Sequence, residues 1–205
     1  MEIGLLIKGL VIGFSIAAPV GPIGILCIRR SLYESPLSGL LTGLGAATAD
    51  ALYGCIAGFG LTFISSLLIR QKLYLHIIGG VFLCYLGVNT ILRTPGSKKP
   101  DEKSQGLIMS YVSAVFLTLT NPMTILSFAA VFAGLGLTSA ANGYRSAALL
   151  VSGVFLGSTL WWLILTGGAS VMRKRFNMTA QSRINQVSGF ILLGFGVWAI
   201  GSLFF

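Results

Sequence analysis

Hydrophobic residues run in long stretches along this chain, and polar residues are confined to short segments between them. Six stretches are long enough to form helices that cross a membrane, since a span needs about 20 apolar residues. These predicted spans are Gly4–Ile28, Leu37–Ile64, Leu75–Leu92, Leu107–Leu135, Ala147–Met172 and Ile184–Phe205. They occupy most of the chain and leave no room for a separate soluble domain. The pattern therefore predicts an all-α, polytopic membrane protein with six transmembrane helices.

The composition supports a membrane protein. Of the 205 residues, 55% are hydrophobic and 9% are charged, whereas soluble domains have about 25% charged residues. The first stretch is longer than the roughly 7–15 residues of a signal-peptide core, and Arg29 and Arg30 follow it where a cleavage site would stand. We therefore expect this stretch to be retained as a membrane helix.

The positive charge of the chain, +9 at pH 7, indicates an orientation in the membrane rather than a nucleic-acid partner. When the segments between spans are assigned alternately to two sides, ten basic residues fall on one side and four on the other. The larger set is Arg29, Arg30, Arg93, Lys98, Lys99, Lys103, Arg173, Lys174, Arg175 and Arg183, and the smaller set is Lys8, Arg70, Lys72 and Arg145. By the positive-inside rule the first side is cytoplasmic, so both termini are predicted to be periplasmic or external.

The two halves of the chain resemble each other. A polar linker at residues 93–106 separates three spans in residues 1–92 from three in residues 107–205. "GGVFLCYLGVNTI" (Gly79–Ile91) aligns with "SGFILLGFGVWAI" (Ser188–Ile200), and "GPIGIL" (Gly21–Leu26) aligns with "NPMTIL" (Asn121–Leu126). Because each half has an odd number of spans, the second half must enter the membrane from the opposite side. The sequence thus predicts an inverted 3+3 repeat, as in many secondary transporters.

Proline interrupts the first span of each half at corresponding places. The two breaks are Ala18-Pro19-Val20-Gly21-Pro22 and Thr120-Asn121-Pro122. Proline removes a backbone donor and clashes with the preceding turn, and irregular backbone at membrane depth is tolerated only inside protein or beside a wet cavity. One such break alone would favour a simple kink. Two breaks at matching positions predict a substrate site between the halves.

Asp50 is the only acidic residue near the middle of a predicted span. Insertion of an aspartate there costs about 2.5–3.5 kcal/mol, so it needs a compensating role. Small residues recur with it at spacings of three and four, namely Gly39, Gly43, Ala47, Gly54 and Gly58. Such a stripe lets another helix approach closely, so we expect Asp50 to face inward. It could carry a proton, anchor a substrate ammonium or accept a structural hydrogen bond.

Further candidate site residues surround the second break. Asn121 could satisfy carbonyls released by the proline or contact the substrate, and Thr118 adds a hydroxyl nearby. In the fifth span, Trp161 shares a face with Gly153 and Gly157, so it either walls the cavity or packs in the core. The predicted substrate and coupling residues are Asp50, Pro19, Gly21, Pro22, Asn121, Pro122, Thr120, Thr124, Ser127 and Trp161.

The remaining reactive residues predict no cofactor, no metal and no enzymatic activity. His76 lies at the edge of the third span, where we expect a solvated anchor, and the sole histidine cannot build a His-based zinc site. Cys27, Cys55 and Cys84 lack metal or disulfide spacing and are expected to be small apolar fillers. The glycine-rich "GLGAATADALYG" has no phosphate-binding lysine, so no nucleotide site is predicted.

With these motifs, the chain resembles the LysE/RhtB family of bacterial amino-acid exporters over nearly its whole length. The resemblance rests on the six predicted spans, "GP" at Gly21-Pro22, "YLG" at residues 85–87, "NP" at Asn121-Pro122, and Asp50. Lysine-exporter relatives also carry an aspartate at the position of Asp50. The resemblance implies an exporter in the inner membrane that is driven by the proton-motive force.

Two departures from the family pattern bear on the substrate. Many members read Pro-Gly-Pro at the first break, where this chain has Pro19-Val20-Gly21-Pro22, and many have a lysine where Met123 stands. Members differ in whether they carry basic, neutral or other solutes. The sequence therefore predicts export of an amino acid or similar small solute and leaves the solute open.

The expected mechanism is exchange of the substrate for protons. The half-helix N-termini at the breaks would hold the substrate carboxylate, and Asp50 would bind the ammonium or exchange a proton. Two other classes stay open: an exporter of metal ions or small cations, although ligands are few, and a thiol-redox membrane protein, although residues 106–205 contain no cysteine. A passive channel is a further alternative. Glycine stripes at Gly9/Gly13 and Gly153/Gly157 could pack within one chain or between the chains of a homodimer.

Overall fold

The computed structural model describes residues 2–19, 21–58, 70–92, 102–121, 124–128, 130, 143–173 and 178–203. These residues are almost entirely helical, and no β-strand occurs among them. The helices are α1 (Glu2–Ala17), α2 (Pro22–Arg29), α3 (Pro36–Gly58), α4 (Lys72–Leu92), α5 (Glu102–Leu119), α6 (Gly143–Arg173) and α7 (Met178–Gly201). A π-helical segment, Arg30–Glu34, joins α2 to α3, and residues 124–128 are also helical. The all-α prediction is confirmed for this part of the chain.

Several helices are apolar enough to lie in a membrane. Within the described ranges, those long enough to cross one are Pro36–Ile56, Leu73–Leu92 and Tyr144–Met172. The pair Ile3–Ala17 and Pro22–Glu34, bent by 82°, would make a fourth span. Shorter apolar helices, Gly106–Leu119 and Gln186–Gly201, fall within the predicted fourth and sixth spans. Residues 59–64 and 131–135, the ends of two predicted spans, lie outside the described residues.

The break predicted in the first span is present, since α1 ends at Ala17 and α2 begins at Pro22. Within residues 93–106, predicted as a linker, the described residues from Glu102 onward are helical as the start of α5. Polar residues such as Lys103 and Gln105 are good helix formers, so the helix extends beyond its apolar part. Residues 93–101 lie outside the described part of the chain.

Helices pack in pairs through small residues. α1 runs against α6, α4 runs against α7, and α3 lies against both α5 and α6. A Cβ atom added to Gly9 would lie 3.0 Å from the Cα of Gly153, and one added to Gly157 would lie 2.9 Å from the Cα of Leu10. The glycine stripes of α1 and α6 therefore pack against each other within one chain.

A shared hydrophobic core connects the helices at the level of the breaks. It includes Leu26 of α2, Ala46 of α3, Leu117 of α5, Trp162 of α6 and Leu192 of α7. Because each helix contributes to it, the ends of the broken helices are held in fixed positions relative to α3, α6 and α7.

The sequence pattern assigns Arg29 and Arg30 to a loop between two predicted spans. Both side chains are buried and have specific hydrogen-bond partners. Arg30 Nη1 donates to Thr42 Oγ1 and to the carbonyl of Ser110, and Nη2 donates to Ser113 Oγ, each at 2.9 Å. Arg29 Nη2 pairs with Glu34 Oε1 at 3.1 Å. The Arg30 network therefore ties the end of α2 to both α3 and α5.

Candidate functional site

A cavity of about 370 Å³ lies where the two proline breaks meet. Both breaks line it, together with side chains of α3, α4, α6 and α7. From the first break come Pro19, Gly21 and Pro22, and from the second come Thr120, Asn121, Thr124 and Ser127. Asp50 of α3 lines the same cavity. Eight of the ten residues singled out in the sequence thus lie around one space.

The first break leaves a helix N-terminus facing the cavity. α1 ends with the N–H of Ala18 bonded to the carbonyl of Phe14 at 2.9 Å. Gly21 is extended (φ −99°, ψ −163°), and Pro22 opens α2. The first N–H groups of a helix have no partner within it, and Pro22 has no N–H at all. Ile23 and Gly24, next in this first turn, line the cavity.

At the second break, other groups donate to the backbone carbonyls at the end of α5. Pro122 cannot donate to the carbonyl of Thr118, and the N–H of Asn121 bonds that carbonyl instead at 3.2 Å. The hydroxyl of Tyr53, on α3, donates to the carbonyl of Leu119 at 2.7 Å. Neighbouring groups thereby satisfy the carbonyls at the end of α5. Pro122 itself lies outside the described residues.

Asp50 is buried, 3% exposed, and has a hydrogen-bond partner on another helix. Ser158 Oγ, on α6, donates to Asp50 Oδ2 at 2.6 Å. Trp162 Nε1 donates in turn to Ser158 Oγ at 3.1 Å. The chain from Trp162 through Ser158 to Asp50 orients the carboxylate at the edge of the cavity.

Trp162 lines the cavity, and Trp161 is not among the lining residues. The ring of Trp161 instead packs edge-on against Phe14 of α1, with ring centroids 5.4 Å apart. Consecutive residues of an α-helix point about 100° apart, so only one of two adjacent tryptophans can face the cavity. Of the two readings of Trp161, packing in the core is the one that fits its position.

His76 lies inside the protein, and the expectation of a solvated anchor was wrong. It is 7% exposed and lines the cavity. The physical reason is the start of α4, which begins at Lys72, three residues before the predicted span. His76 is therefore a full turn inside the helix, on the face that packs toward the rest of the protein.

Several residues at or beside the site were missed or misjudged in the sequence, among them Tyr53, His76, Ser158 and Trp162. Signals for two of them exist. Tyr53 is three residues after Asp50, which puts both on one helix face. Ser158 follows Gly157, the small residue at which α1 approaches α6. Nothing in the sequence pairs Ser158 with a residue 108 positions away.

The described residues show no metal-binding group. Among them, no three or more His, Cys, Asp or Glu side chains are close enough to hold an ion. Cys27 is buried, and its Sγ lies 3.4 Å from the carbonyl of Gly39, while Cys55 and Cys84 are also free thiols. This part of the chain therefore offers no observation that favours a cation exporter or a thiol relay over a transporter of organic solutes.

The sequence profile of the LysE type translocators matches residues 14–202. The chain belongs to the LysE type translocator family. Family membership and the apolar helices together make the chain a multi-pass membrane transporter, and the resemblance noted in the sequence is confirmed.

The chain is also similar to two proteins of Bacillus subtilis (strain 168) and one of Escherichia coli (strain K12). The protein named "Putative amino acid efflux protein YcgF" is 28% identical over 194 residues, 92% of this chain and 91% of the relative. "Uncharacterized membrane protein YahN" from Escherichia coli is 27% identical over 178 residues, covering 84% and 77%. "Uncharacterized membrane protein YrhP" is 24% identical over 183 residues, covering 84% and 87%. No solved structure matches the chain.

Proposed function

We propose that this LysE-family protein is a secondary transporter that exports an amino acid across the bacterial inner membrane in exchange for protons. The observation that carries the proposal is the meeting of both helix breaks and Asp50 at one cavity. Similarity to YcgF, which is named "Putative amino acid efflux protein YcgF", supports the class of substrate.

The chemistry of the cavity suits a zwitterion. An amino acid carries a carboxylate and an ammonium two bonds apart, so its site needs an anion-binding group near an acceptor. The first turn of α2, at Ile23 and Gly24, offers backbone N–H groups and the positive end of a helix dipole. Asp50 supplies the acceptor on the facing helix. The substrate carboxylate would lie at α2 and its ammonium at Asp50.

The two breaks support an inverted repeat because their backbone bonds correspond. The N–H of Ile25 bonds the carbonyl of Gly21 at 3.1 Å, and the N–H of Ile125 bonds the carbonyl of Asn121 at 3.2 Å. In the sequence alignment of the halves, Gly21 matches Asn121 and Ile25 matches Ile125. Each half therefore restarts its broken helix with the same hydrogen bond.

The contact between α4 and α7 supports the same symmetry. The alignment matches Gly80 with Gly189 and Gly87 with Gly196. A Cβ atom on Gly196 would lie 2.8 Å from the carbonyl oxygen of Gly80, and one on Gly87 would lie 2.8 Å from that of Gly189. When each glycine is replaced by its aligned counterpart, the first contact becomes the second, as expected if a two-fold axis relates the two halves.

The helix pairs are consistent with such an axis, which would map α1 onto α5, α3 onto α6 and α4 onto α7. Under this mapping the α1–α6 pair corresponds to the α5–α3 pair. The α3–α6 and α4–α7 pairs each correspond to themselves. All four of these pairs are in contact. We therefore retain the inverted 3+3 repeat, and with it alternating access by motion of one half against the other.

Cavity residues lie toward the side assigned as periplasmic. His76, near the start of α4, and Trp198, near the end of α7, both line it, and those helix ends are the predicted external ones. On the predicted cytoplasmic side, Arg30 joins α2 to α3 and α5. This arrangement supports an outward-facing state in which a proton could reach Asp50 from outside.

The test is counterflow in proteoliposomes loaded with a pool of amino acids, with labelled amino acid outside. Wild type should accumulate one or a few amino acids, and flux should respond to an imposed pH gradient. Asp50→Asn should abolish the flux or remove its response to the gradient. Asp101→Asn, at the other aspartate of the chain, is the matched control and should behave as wild type.

Absence of amino-acid flux in wild type would contradict the proposal. Flux that is unchanged in Asp50→Asn would leave the exporter reading intact and return Asp50 to a structural role. Accumulation of label without any response to the pH gradient would indicate a carrier that is not coupled to protons, whereas equilibration of label without accumulation would indicate a passive channel.

A further inference from the structure

Two helices, α4 and α7, form a cavity wall that is apolar except for His76 among its described lining residues. α4 and α7, which pack against each other, contribute Leu83, Phe195, Trp198 and Ala199 to it. Leu117 of α5 adds to the same lining. A substrate whose backbone groups lie between α2 and Asp50 would therefore direct its side chain toward a hydrophobic surface.

The charges around the cavity are few. Asp50 and His76 are the only titratable side chains among its described lining residues, and no lysine or arginine is among them. The single carboxylate already accepts a hydrogen bond from Ser158. One ammonium can be matched by Asp50, whereas a second cation on the substrate would meet no further carboxylate among the described lining residues. A second carboxylate on the substrate would meet His76 but no lysine or arginine among them.

We propose that the substrate is a neutral amino acid with an apolar side chain, and that Leu83 and Phe195 of the α4–α7 wall hold this side chain. The inference rests on the proposed function and narrows it. Burial of apolar surface favours binding in proportion to the area removed from water, and an unpaired charge in such a place is strongly disfavoured. The volume of about 370 Å³ is at the small end of the range of ligand cavities, about 300–1,000 Å³, which suits a compact aliphatic chain.

The first test is a competition series in the counterflow assay. Alanine, 2-aminobutyrate, norvaline and norleucine differ by single methylene groups and carry the same backbone charges. Each added methylene should increase apparent affinity by about fourfold, as expected for its burial, until the cavity is filled. A flat or falling series would overturn the proposal.

The second test compares norleucine with lysine. Lysine is norleucine with an ammonium at the end of its side chain, so the pair differs in that charge. A tryptophan face can attract a cation, and Trp162 and Trp198 both line the cavity, so the comparison is a demanding one. Norleucine should compete at least about tenfold better than lysine, given what a misplaced polar group costs in an apolar pocket. Equal or better competition by lysine would overturn the inference.

Substitution of a wall residue tests whether the substrate side chain binds at the α4–α7 wall. Phe195→Ala should lower the gain in apparent affinity per added methylene relative to wild type. Phe190→Ala on the same helix is the control, since Phe190 is 62% exposed and faces away from the core. If apparent affinity rises as much per methylene in Phe195→Ala as in Phe190→Ala, Phe195 does not hold the substrate side chain.

The outcomes separate this inference from the proposed function. If lysine or glutamate is transported and this flux is lost in Asp50→Asn, the apolar-substrate inference is wrong and the amino-acid exporter proposal stands. If no amino acid in the panel competes, both the inference and the proposed function are wrong.

Discussion

At the scale of single residues, the site depends on partners that come from distant parts of the chain. Asp50 is held by Ser158, and Ser158 by Trp162. Tyr53 satisfies a carbonyl at the end of α5. Each of these side chains lies beside the cavity or one contact away from it. Their role is to fix groups that the helix breaks or the membrane would otherwise leave without partners.

Ser158→Ala tests the support of Asp50. Removal of a donor from a buried carboxylate costs about 1–3 kcal/mol, so the variant should unfold at lower temperature and transport more slowly than wild type. Ser158→Thr keeps the hydroxyl and should recover much of the transport. Ser152→Ala, at an exposed serine of the same helix, is the control. Equal thermal stability and flux in Ser158→Ala and Ser152→Ala would show that the hydrogen bond contributes nothing.

At the scale of helices, small residues decide which pairs meet. The close approach of α1 to α6 depends on Gly9, Gly13, Gly153 and Gly157, where an added Cβ would meet backbone atoms of the partner helix. Backbone atoms cannot move aside as a flexible side chain can. Glycine is therefore required at these positions by helix packing, although it lowers helix propensity.

Gly157→Ala tests this packing, with a control on the same helix. The new Cβ would lie 2.9 Å from the Cα of Leu10, and such overpacking costs about 1–3 kcal/mol. At Gly167 nothing lies within 4 Å of an added Cβ, so Gly167→Ala should stabilise the helix by up to about 1 kcal/mol. Thermal unfolding in detergent measures both. A loss of stability in Gly167→Ala as large as that in Gly157→Ala would argue against the packing explanation.

At the scale of the whole molecule, the Arg30 network ties α2 to α3 and α5 toward the predicted cytoplasmic side. Arg30 is 5% exposed and bonds to Thr42, Ser110 and Ser113. Hydrogen bonds to a charged group contribute about 1.5–3 kcal/mol each. A transporter that opens inward would have to break these bonds, so the network should favour the state seen here.

Arg30→Ala should therefore shift the population toward a state open on the other side. Cys27 is fully buried and follows the first break, so its reaction with a maleimide reports on opening. With Cys55 and Cys84 replaced by alanine, Arg30→Ala should speed this reaction by about tenfold or more, given the bonds lost. Arg145→Ala, at an exposed arginine of α6, should leave the rate unchanged. Unchanged reactivity of Cys27 in Arg30→Ala would contradict a gating role for this network.

The sequence alone determined the helical class and the places where the chain breaks. Long apolar stretches define membrane helices because the bilayer acts on every residue along a span in the same way. Pro19, Pro22 and Pro122 mark breaks because proline acts on its own turn. Asp50 stood out for its cost in an apolar span. All of these are local signals, readable without knowledge of which helices meet.

Tertiary structure decided which side chains share the cavity. The choice of Trp162 over Trp161, the burial of His76 and the bond from Ser158 to Asp50 depend on which helix faces are in contact. Two adjacent residues have nearly the same sequence environment, yet they point about 100° apart. In a mostly apolar chain, the hydrophobic pattern hardly distinguishes a face that meets lipid from one that meets protein. Contacts between distant residues, absent from the local pattern, make that distinction.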